Sequence, residues 1–231
     1  VEVYRKEFVA NVTHELKTPL FNIQGYIHSL IDGALYDKEV NHIFLEKASK
    51  NVDRLVTLVS DLEIISQLET GGAIFEHEVF DIYDLVTEVF ESLEFKAAAK
   101  KKYLSIETGA DKQYYVSADK DKIRQVFVNL IENSIKYGIQ NGRTWINFID
   151  ADENLLIEIC DDGPGIPEEH LQRLFERFYR VDKSRSRDAG GTGLGLAIVR
   201  HIIEGHHKTI NVKSKVGEGT VFSFSLDRKK N

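Results

Sequence analysis

The sequence predicts a multidomain protein in which an all-α helical hairpin over residues 1–70 precedes an α+β two-layer sandwich over residues 74–228. Apolar residues recur at spacings of three and four up to about residue 69, which is typical of long helices. Gly71-Gly72 interrupts this pattern. Beyond it the apolar period changes between 2 and 3.6 several times, as it does where strands and helices alternate. The 231 residues, of which 42% are hydrophobic, are enough for one or two domains with buried cores.

The first unit is predicted to contain two helices of roughly 30 residues each. The seam of the first helix is formed by Val9, Val12, Leu16, Ile23, Ile27 and Leu30, and that of the second by Leu45, Ala48, Val52, Leu55, Val59 and Leu62. Asp32 to Asp37 supply a glycine and two aspartates, which suit a helix end, a short loop and a new N-cap. Because two helices alone cannot cover their apolar faces, we expect the hairpin to form a dimeric four-helix bundle.

The second unit alternates strand-like and helical patterns. Strands are predicted at residues 78–80, 103–106, 114–117, 144–149, 155–160, 209–212 and 221–226, and helices at residues 82–99, 119–137, 168–175 and 193–204. This order predicts a mixed sheet with one face covered by helices.

Composition excludes several classes of protein. The formal net charge of -7 argues against binding to nucleic acid or to anionic lipid. No apolar run is long enough to span a membrane, so we expect no membrane contact by this chain. The single cysteine, Cys160, cannot form an intrachain disulfide and indicates a reducing, cytoplasmic compartment. Because methionine is absent even at position 1, we expect the chain to be a piece of a longer protein.

The segment His14-Glu15-Leu16-Lys17-Thr18-Pro19-Leu20 is the most informative part of the hairpin. His14 lies about 200° around the helix from the seam, so it is predicted to face solvent. Pro19 inside a helix costs about 3 kcal/mol, which a functional kink beside His14 would explain. A neutral imidazole is a good nucleophile, and a neighbouring carboxylate can orient it or accept its proton. The alternative is an exposed histidine without a function on a helix that Pro19 merely bends.

Three glycine clusters occur in the second unit. The first, Asp161 to Ile166, directly follows a strand, so its carboxylates can accept a hydrogen bond from an amino group of a ligand. The second, Gly190 to Leu196, opens an apolar helix, where free amides and the helix dipole suit a phosphate. The third, Gly217 to Thr220, is interpreted as a turn. Neither the P-loop nor the dinucleotide-binding spacing is present.

A polar helix face is predicted at Asn129, Asn133, Lys136 and Tyr137, which are spaced at i, i+4, i+7 and i+8. Amide oxygens together with a lysine suit a complex of Mg²⁺ and phosphate. A solvated helix face without a ligand is the alternative.

Taken in order, these segments resemble the catalytic core of a two-component sensor histidine kinase, from about residue 8 to residue 226. His14 to Leu20 resembles the phosphoacceptor box, Asn129 to Tyr137 the N box, Asp161 to Ile166 the first glycine box, Phe175 to Arg180 the F box and Gly191 to Leu196 the second glycine box. The resemblance implies a dimerisation and histidine phosphotransfer hairpin. It also implies an ATP-binding domain of the Bergerat type, the fold shared with DNA gyrase, the Hsp90 chaperones and MutL.

The resemblance also implies roles for individual residues. His14 would attack the γ-phosphate of ATP, and Glu15 would accept its proton. Asn133, helped by Asn129, would coordinate Mg²⁺, Lys136 would contact phosphate, Tyr137 would stack near the adenine and Asp161 would accept a hydrogen bond from its amino group. Further contacts with the nucleotide are expected at Gly163, Gly165, Arg177, Arg180, Gly191, Thr192, Gly193, Leu194, Gly195 and Thr220. Residues 176–192 would form a mobile lid with the cations Arg177, Arg180, Lys183, Arg185 and Arg187.

The implied partners are a second copy of the chain and the receiver domain of a response regulator, whose dephosphorylation the family associates with the position of Thr18. Two departures from the family pattern are Gly138, where a Ser or Thr is common, and His206-His207, where a small residue is common. An ATP-hydrolysing relative is one rival interpretation. It is disfavoured because Asn129 stands where such relatives have a glutamate that activates water. A non-catalytic dimeric scaffold is the other rival.

Overall fold

The structure is a computed structural model that describes residues 2–69, 74–108, 113–182 and 191–229, with side chains from residue 6 onward. Helix α1 spans Glu2–Ile31, a 3₁₀ turn spans Ala34–Tyr36 and helix α2 spans Asn41–Glu69. Contacts between early residues of one helix and late residues of the other make the pair antiparallel, for example the stacked rings of Tyr26 and Phe44, 5.8 Å apart. The predicted helical hairpin is therefore confirmed.

The second unit contains seven strands and four helices in the described residues. They are β1 Glu78–Asp81, α3 Ile82–Ala99, β2 Tyr103–Ile106, β3 Tyr115–Ala118, α4 Lys120–Tyr137, β4 Arg143–Ala151, β5 Asn154–Asp161, α5 Glu168–Leu171, α6 Gly195–Gly205, β6 Asn211–Lys215 and β7 Gly219–Arg228.

Two predicted elements differ most from the structure. The helix predicted at residues 168–175 is only the single turn α5, because the backbone after it forms successive turns that end at Phe178, which has a positive φ of 63°. The strand predicted at residues 209–212 begins at Asn211 instead. The residues just before Asn211 cap the C-terminal end of α6, where Lys208 N donates a hydrogen bond to Ile203 O at 3.1 Å.

The seven strands form one mixed sheet with the order β1-β3-β7-β5-β4-β2, and β6 also pairs with β7. Among the described strands, β2 and β4 are the parallel pair and the other pairs are antiparallel. Strand β3 meets the last residues of β7, whereas β6 meets its first residues, so both lie along the same edge of β7. The long β5 and β7 strands thus form the middle of the sheet.

Helices α3, α4 and α6 bury their apolar faces in one core with the sheet. Aspartates cap two of them: Asp81 Oδ1 accepts from Tyr83 N at 2.9 Å, and Asp119 Oδ1 accepts from Lys122 N at 3.0 Å. Leu58 and Ile65 of α2 belong to the same buried cluster, so the hairpin packs on the second unit. None of the helices in the described ranges is both long and apolar enough to cross a membrane.

Candidate functional site

One cleft lies between α4, the end of β5 and the start of α6, and α2 forms part of its rim. The predicted residues that line it are Asn129, Asn133, Lys136, Tyr137, Asp161, Gly165, Arg180, Gly191, Thr192, Gly193, Gly195 and Thr220. Three predicted contacts, Gly163, Leu194 and Arg177, are not among the residues that line the cleft. Lys183, Arg185 and Arg187 of the predicted lid fall outside the described residues.

The α4 wall presents amide groups to the cleft. Asn129 and Asn133 lie one helical turn apart, and the buried Nδ2 of Asn129 has no hydrogen-bond partner among the described residues. Such an orphaned donor fits a ligand oxygen, because a buried polar group without a partner costs free energy. The two amide oxygens are of the type that Mg²⁺ prefers. This wall therefore fits a nucleotide phosphate with its metal.

Lys136 is held beside this wall by an acidic neighbour. Its Nζ lies 3.3 Å from Glu132 Oε2, and Glu132 also binds Lys96. Burial raises the pKa of Glu132, but the hydrogen bond from Lys96 and the charge of Lys136 outweigh it and leave the pKa below its usual value. Glu132 thus stays ionised and keeps Lys136 close to the cleft.

The opposite end of the cleft is apolar and contains one carboxylate. Ile166, Leu174, Leu196 and Phe222 supply the apolar surface. Asp161 lies at the end of β5, and its Oδ1 accepts from Gly163 N at 2.8 Å. Burial raises the pKa of Asp161, while the Gly163 amide and the charge of Lys102 oppose that rise. An apolar slot with a single acceptor fits a flat base that carries an amino group.

The start of α6 forms the wall next to α2. Gly193 has a φ of 77°, and a Cβ there would lie 2.9 Å from the Cα of Phe178, so both conformation and space require glycine. Leu194 N donates to Thr192 Oγ1 at 3.2 Å, and the helix begins at Gly195. The free amides of this N-terminus, at the positive end of the helix dipole, suit an anionic ligand.

His14 lies on α1 with a solvent-exposed side chain, as predicted. The ring is 65% exposed, and its Nδ1 lies 3.9 Å from Glu15 Oε1. The other oxygen of Glu15 is engaged: Glu15 Oε2 accepts from Arg54 and from Arg180, both at 2.9 Å. Arg180 also donates to the carbonyl of Gly191 at 2.8 Å. Glu15 therefore connects the hairpin to the segment that borders the cleft.

Further contacts join the hairpin to the second unit, and the sequence did not indicate them. Thr192 Oγ1 donates to Asp61 Oδ2 at 2.7 Å, and Arg177 forms an ion pair with Glu69. The guanidinium of Arg177 also lies over the ring of Phe8, 5.1 Å from its centre. A helical period shows that Asp61 and Glu69 lie on α2 but cannot show which surface they meet. The available signal was the acidic character of Glu69 opposite basic lid residues, and Asp61 had no such signal because its partner is a threonine.

Two family models match the chain. The His Kinase A (phospho-acceptor) domain matches residues 4–71, and the histidine kinase-, DNA gyrase B- and HSP90-like ATPase matches residues 118–230. The chain is similar to the sensor histidine kinase WalK of Bacillus subtilis, with 37% identity over 97% of this chain and 37% of that protein. It shows the same identity to the sensor protein kinase WalK of Staphylococcus aureus, over 98% of this chain and 54% of that protein. The chain thus spans between about a third and a half of these relatives.

The solved structures that this chain resembles are also histidine kinases. The Acinetobacter baumannii histidine kinase AdeS has a TM-score of 0.76 and 28% identity, and the match covers 94% of this chain and 98% of that one. The catalytic domain of histidine kinase ThkA is 31% identical with a TM-score of 0.58, over 66% of this chain and 96% of that one. A ThkA structure in complex with the response regulator protein TrrA has a TM-score of 0.73 and 27% identity, over 96% of this chain and 61% of that one.

Proposed function

Because this chain belongs to the sensor histidine kinases of two-component signal transduction, we propose that it uses ATP to phosphorylate itself on His14 and passes the phosphoryl group to an aspartate of a response regulator. The observation that carries this proposal is the cleft itself. It brings the amides of Asn129 and Asn133, the acceptor Asp161 and the start of α6 together beside the helical hairpin on which His14 is exposed.

The proposed reaction is a displacement at the γ-phosphorus. A ring nitrogen of His14 forms the new bond to phosphorus, the bond to the bridging oxygen breaks, and ADP leaves with the electron pair. The ring proton passes to Glu15, the nearest carboxylate. Asp161 and the apolar slot orient the adenine, while Lys136 and the amides at Gly193 and Gly195 face the phosphates. Catalysis of this kind depends on positioning and on neutralising charge.

Asn133 and Asn129 would hold the Mg²⁺ that accompanies the nucleotide. When bound, the metal neutralises charge on the phosphate oxygens. The role of these residues is to offer amide oxygens from one helix face at a fixed spacing of one turn.

The His14 ring has to rotate before Glu15 can accept its proton. Transfer between heavy atoms needs an approach of about 2.6–3.2 Å, whereas His14 Nδ1 and Glu15 Oε1 are 3.9 Å apart. Rotation of the exposed ring closes this distance without disturbing Oε2. The two arginines would then keep the carboxylate in place while its free oxygen receives the proton.

A homodimer through the hairpin completes the proposal. Many apolar side chains of α1 and α2 remain close to half exposed in the single chain, including Val9, Ile27, Val52 and Val59. A second hairpin would cover them and form the four-helix bundle.

The response regulator would then approach His14 from solvent, and ThkA, whose structure includes the regulator TrrA, is the relative that supports such a partner. We also propose that the chain acts in the cytoplasm as part of a longer sensor.

ATP hydrolysis without histidine phosphorylation is the alternative function. It would require a general base beside the γ-phosphate. Asn129, in the α4 wall of the cleft, is an amide and cannot remove a proton from water. The exposed His14 beside Glu15 has no purpose in that alternative, so we favour phosphorylation.

Labelled ATP tests the proposal directly. Incubation of the chain with Mg²⁺ and ATP labelled in the γ-phosphate should give a label that acid removes and base does not. His14→Gln should abolish it. His28→Gln, which changes an exposed histidine of the same helix, should leave it intact. Equal labelling of the unchanged chain and His14→Gln would refute the assignment.

A further inference from the structure

A buried lysine lies behind the adenine end of the cleft, outside the motifs that the family resemblance assigns. Lys102 is only 6% exposed. Its Nζ has no hydrogen-bond partner among the described residues. Burying an ammonium group without a partner is costly. A position where a chain tolerates such a group is a candidate for a role beyond packing.

Two glycines make room for this ammonium. A Cβ on Gly138 would lie 2.1 Å from Lys102 Nζ, and a Cβ on Gly142 would lie 2.8 Å from the same atom. Gly138 ends α4 and lines the cleft, while Gly142 precedes β4. The ammonium therefore fills the space that a side chain at position 138 would take, one layer behind the cleft surface.

Two carboxylates face this ammonium from the end of β5. The Cβ position of Gly142 that is close to Nζ is also 2.5 Å from Asp162 Oδ1. Asp162 is fixed by Arg143 N, which donates to its Oδ1 at 2.8 Å. Asp161 lies on the same side as this ammonium: a Cβ on Gly163 would be 2.5 Å from Asp161 Oδ1 and 3.3 Å from the Cα of Gly138. Burial lowers the pKa of Lys102, and the negative charges of Asp162 and Asp161 oppose that fall.

Few of the charged and titratable groups around Asp161 stabilise its ionised form. In the described part of the chain they are Lys102, Asp162, Cys160, Tyr137 across the cleft, and the ion pair of Arg143 with Glu107. Asp162 disfavours a second negative charge beside it, and Cys160 is a neutral thiol whose pKa burial raises to about 12. Lys102 is the cation that opposes the effect of burial on Asp161.

We propose that Lys102 is a positioning residue of the adenine subsite: from behind Gly138 its ammonium keeps Asp161 a carboxylate, and so sets the strength and the selectivity of base recognition. The inference rests on the proposed nucleotide site. A carboxylate accepts a hydrogen bond from the amino group of adenine. A protonated Asp161 would present a hydrogen to that amino group and could instead donate to the carbonyl oxygen of guanine. Loss of Lys102 therefore weakens ATP more than GTP.

The test compares Lys102→Met with Lys100→Met, which removes an exposed lysine two residues away. Equilibrium dissociation constants for ATP and for GTP are measured by calorimetry between pH 5.5 and 8.5, in the same buffers, so that titration of the nucleotide itself cancels. In Lys102→Met the loss of ATP affinity on acidification should begin at a higher pH than in the unchanged chain, with a weaker ATP complex and a smaller preference over GTP at the acidic end. Lys100→Met should match the unchanged chain.

Further variants separate the possible failures. Lys102→Gln keeps a polar group without the charge and should show the same shift, which protects the test if Lys102→Met folds poorly. Asp161→Ala should weaken ATP at every pH and remove the shift. If Asp161→Ala weakens ATP while both Lys102 variants keep the original pH profile, the role of Lys102 is refuted and the site stands. If Asp161→Ala also leaves ATP affinity unchanged, the proposed nucleotide site itself is wrong.

Discussion

Arg180 and Glu15, which are 165 positions apart in the sequence, form a hydrogen-bonded ion pair in which Arg180 Nη2 lies 2.9 Å from Glu15 Oε2. The side chain of Arg180 is 6% exposed and that of Glu15 is 14% exposed, so water screens the pair poorly. Arg54 of α2 approaches the same oxygen at 2.9 Å. The residue beside the proposed phosphoacceptor thus holds the ATP-binding unit against the hairpin.

Arg180→Ala should loosen this docking, because Glu15 keeps only Arg54 and the carbonyl groups of Gly191 and Thr192 lose a donor. Hydrogen exchange should become faster at the start of α6 and in the facing part of α2, while the sheet stays protected. Arg173→Ala serves as the control, since Arg173 pairs with Glu176 on the surface. Identical exchange in Arg180→Ala and the unchanged chain would contradict the role of Arg180 in this docking.

Asp61→Asn should stabilise the docked arrangement near neutral pH. Burial raises the pKa of Asp61, and the hydrogen bond from Thr192 only partly opposes it. For a carboxyl whose folded pKa exceeds its unfolded value, the penalty is absent below the unfolded pKa and complete above the folded one. An amide removes that penalty and can still accept from Thr192.

The measurement for Asp61→Asn is the thermal unfolding midpoint as a function of pH. We expect an increase of about 2–4 °C at pH 7, equivalent to about 1 kcal/mol for a chain of this size, which disappears toward pH 3. Asp53→Asn, at an exposed position of α2, should change the midpoint little at either pH. An unchanged or lower midpoint at pH 7 for Asp61→Asn would contradict the argument.

Local patterns in the sequence predicted most of the elements, because each depends on nearby residues. The helix α3 follows from its own apolar period, and its cap Asp81 is adjacent in sequence. The cleft residues were found because three glycine-rich or amide-rich segments each have a distinctive composition. Helix α5 was predicted too long, since the apolar residues Leu174 and Phe175 continue a helical spacing while the backbone turns toward Phe178.

Contacts between the two units could not be predicted in the same way. The pairs Glu15 with Arg180, Asp61 with Thr192 and Glu69 with Arg177 each join residues more than 100 positions apart. Local sequence patterns predict the secondary structure around each partner but do not show that the two partners meet. The docking of α2 on α6 brings them together. Lys102 was missed for a related reason: a lysine in a run of three lysines looks solvated.

Asn133→Ala should remove the dependence of nucleotide binding on Mg²⁺. In the unchanged chain, ATP should bind more tightly with Mg²⁺ than with a chelator, because in the proposed site the amide oxygens of Asn133 and Asn129, which line the cleft, would be metal ligands. In the variant both conditions should give the same weak affinity. Asn147→Ala on β4 is the control. Persistence of the full Mg²⁺ effect in Asn133→Ala would exclude Asn133 as a ligand.

Thr18→Ala addresses the opposite reaction, removal of phosphate from the partner regulator. Thr18 lies one helical turn after His14, and its Oγ1 donates to the carbonyl of His14 at 3.3 Å, so the hydroxyl is on the same side of α1 as the phosphoacceptor. We propose that from there it orients a water molecule toward the aspartyl phosphate of a docked regulator. The variant should keep labelling of His14 and transfer to the regulator, while dephosphorylation of the regulator becomes at least several times slower.

Thr13→Ala provides the matched comparison, because Thr13 makes the same kind of bond, with its Oγ1 donating to Val9 O at 2.8 Å. It belongs to the same helix but precedes His14, so its loss tests whether removal of a threonine hydroxyl from α1 matters in itself. Slower dephosphorylation in Thr18→Ala alone assigns the water-orienting role to Thr18. Equal loss of phosphorylation, transfer and dephosphorylation in Thr18→Ala would instead indicate a disturbed helix at Pro19. Unchanged dephosphorylation would exclude the water-orienting role.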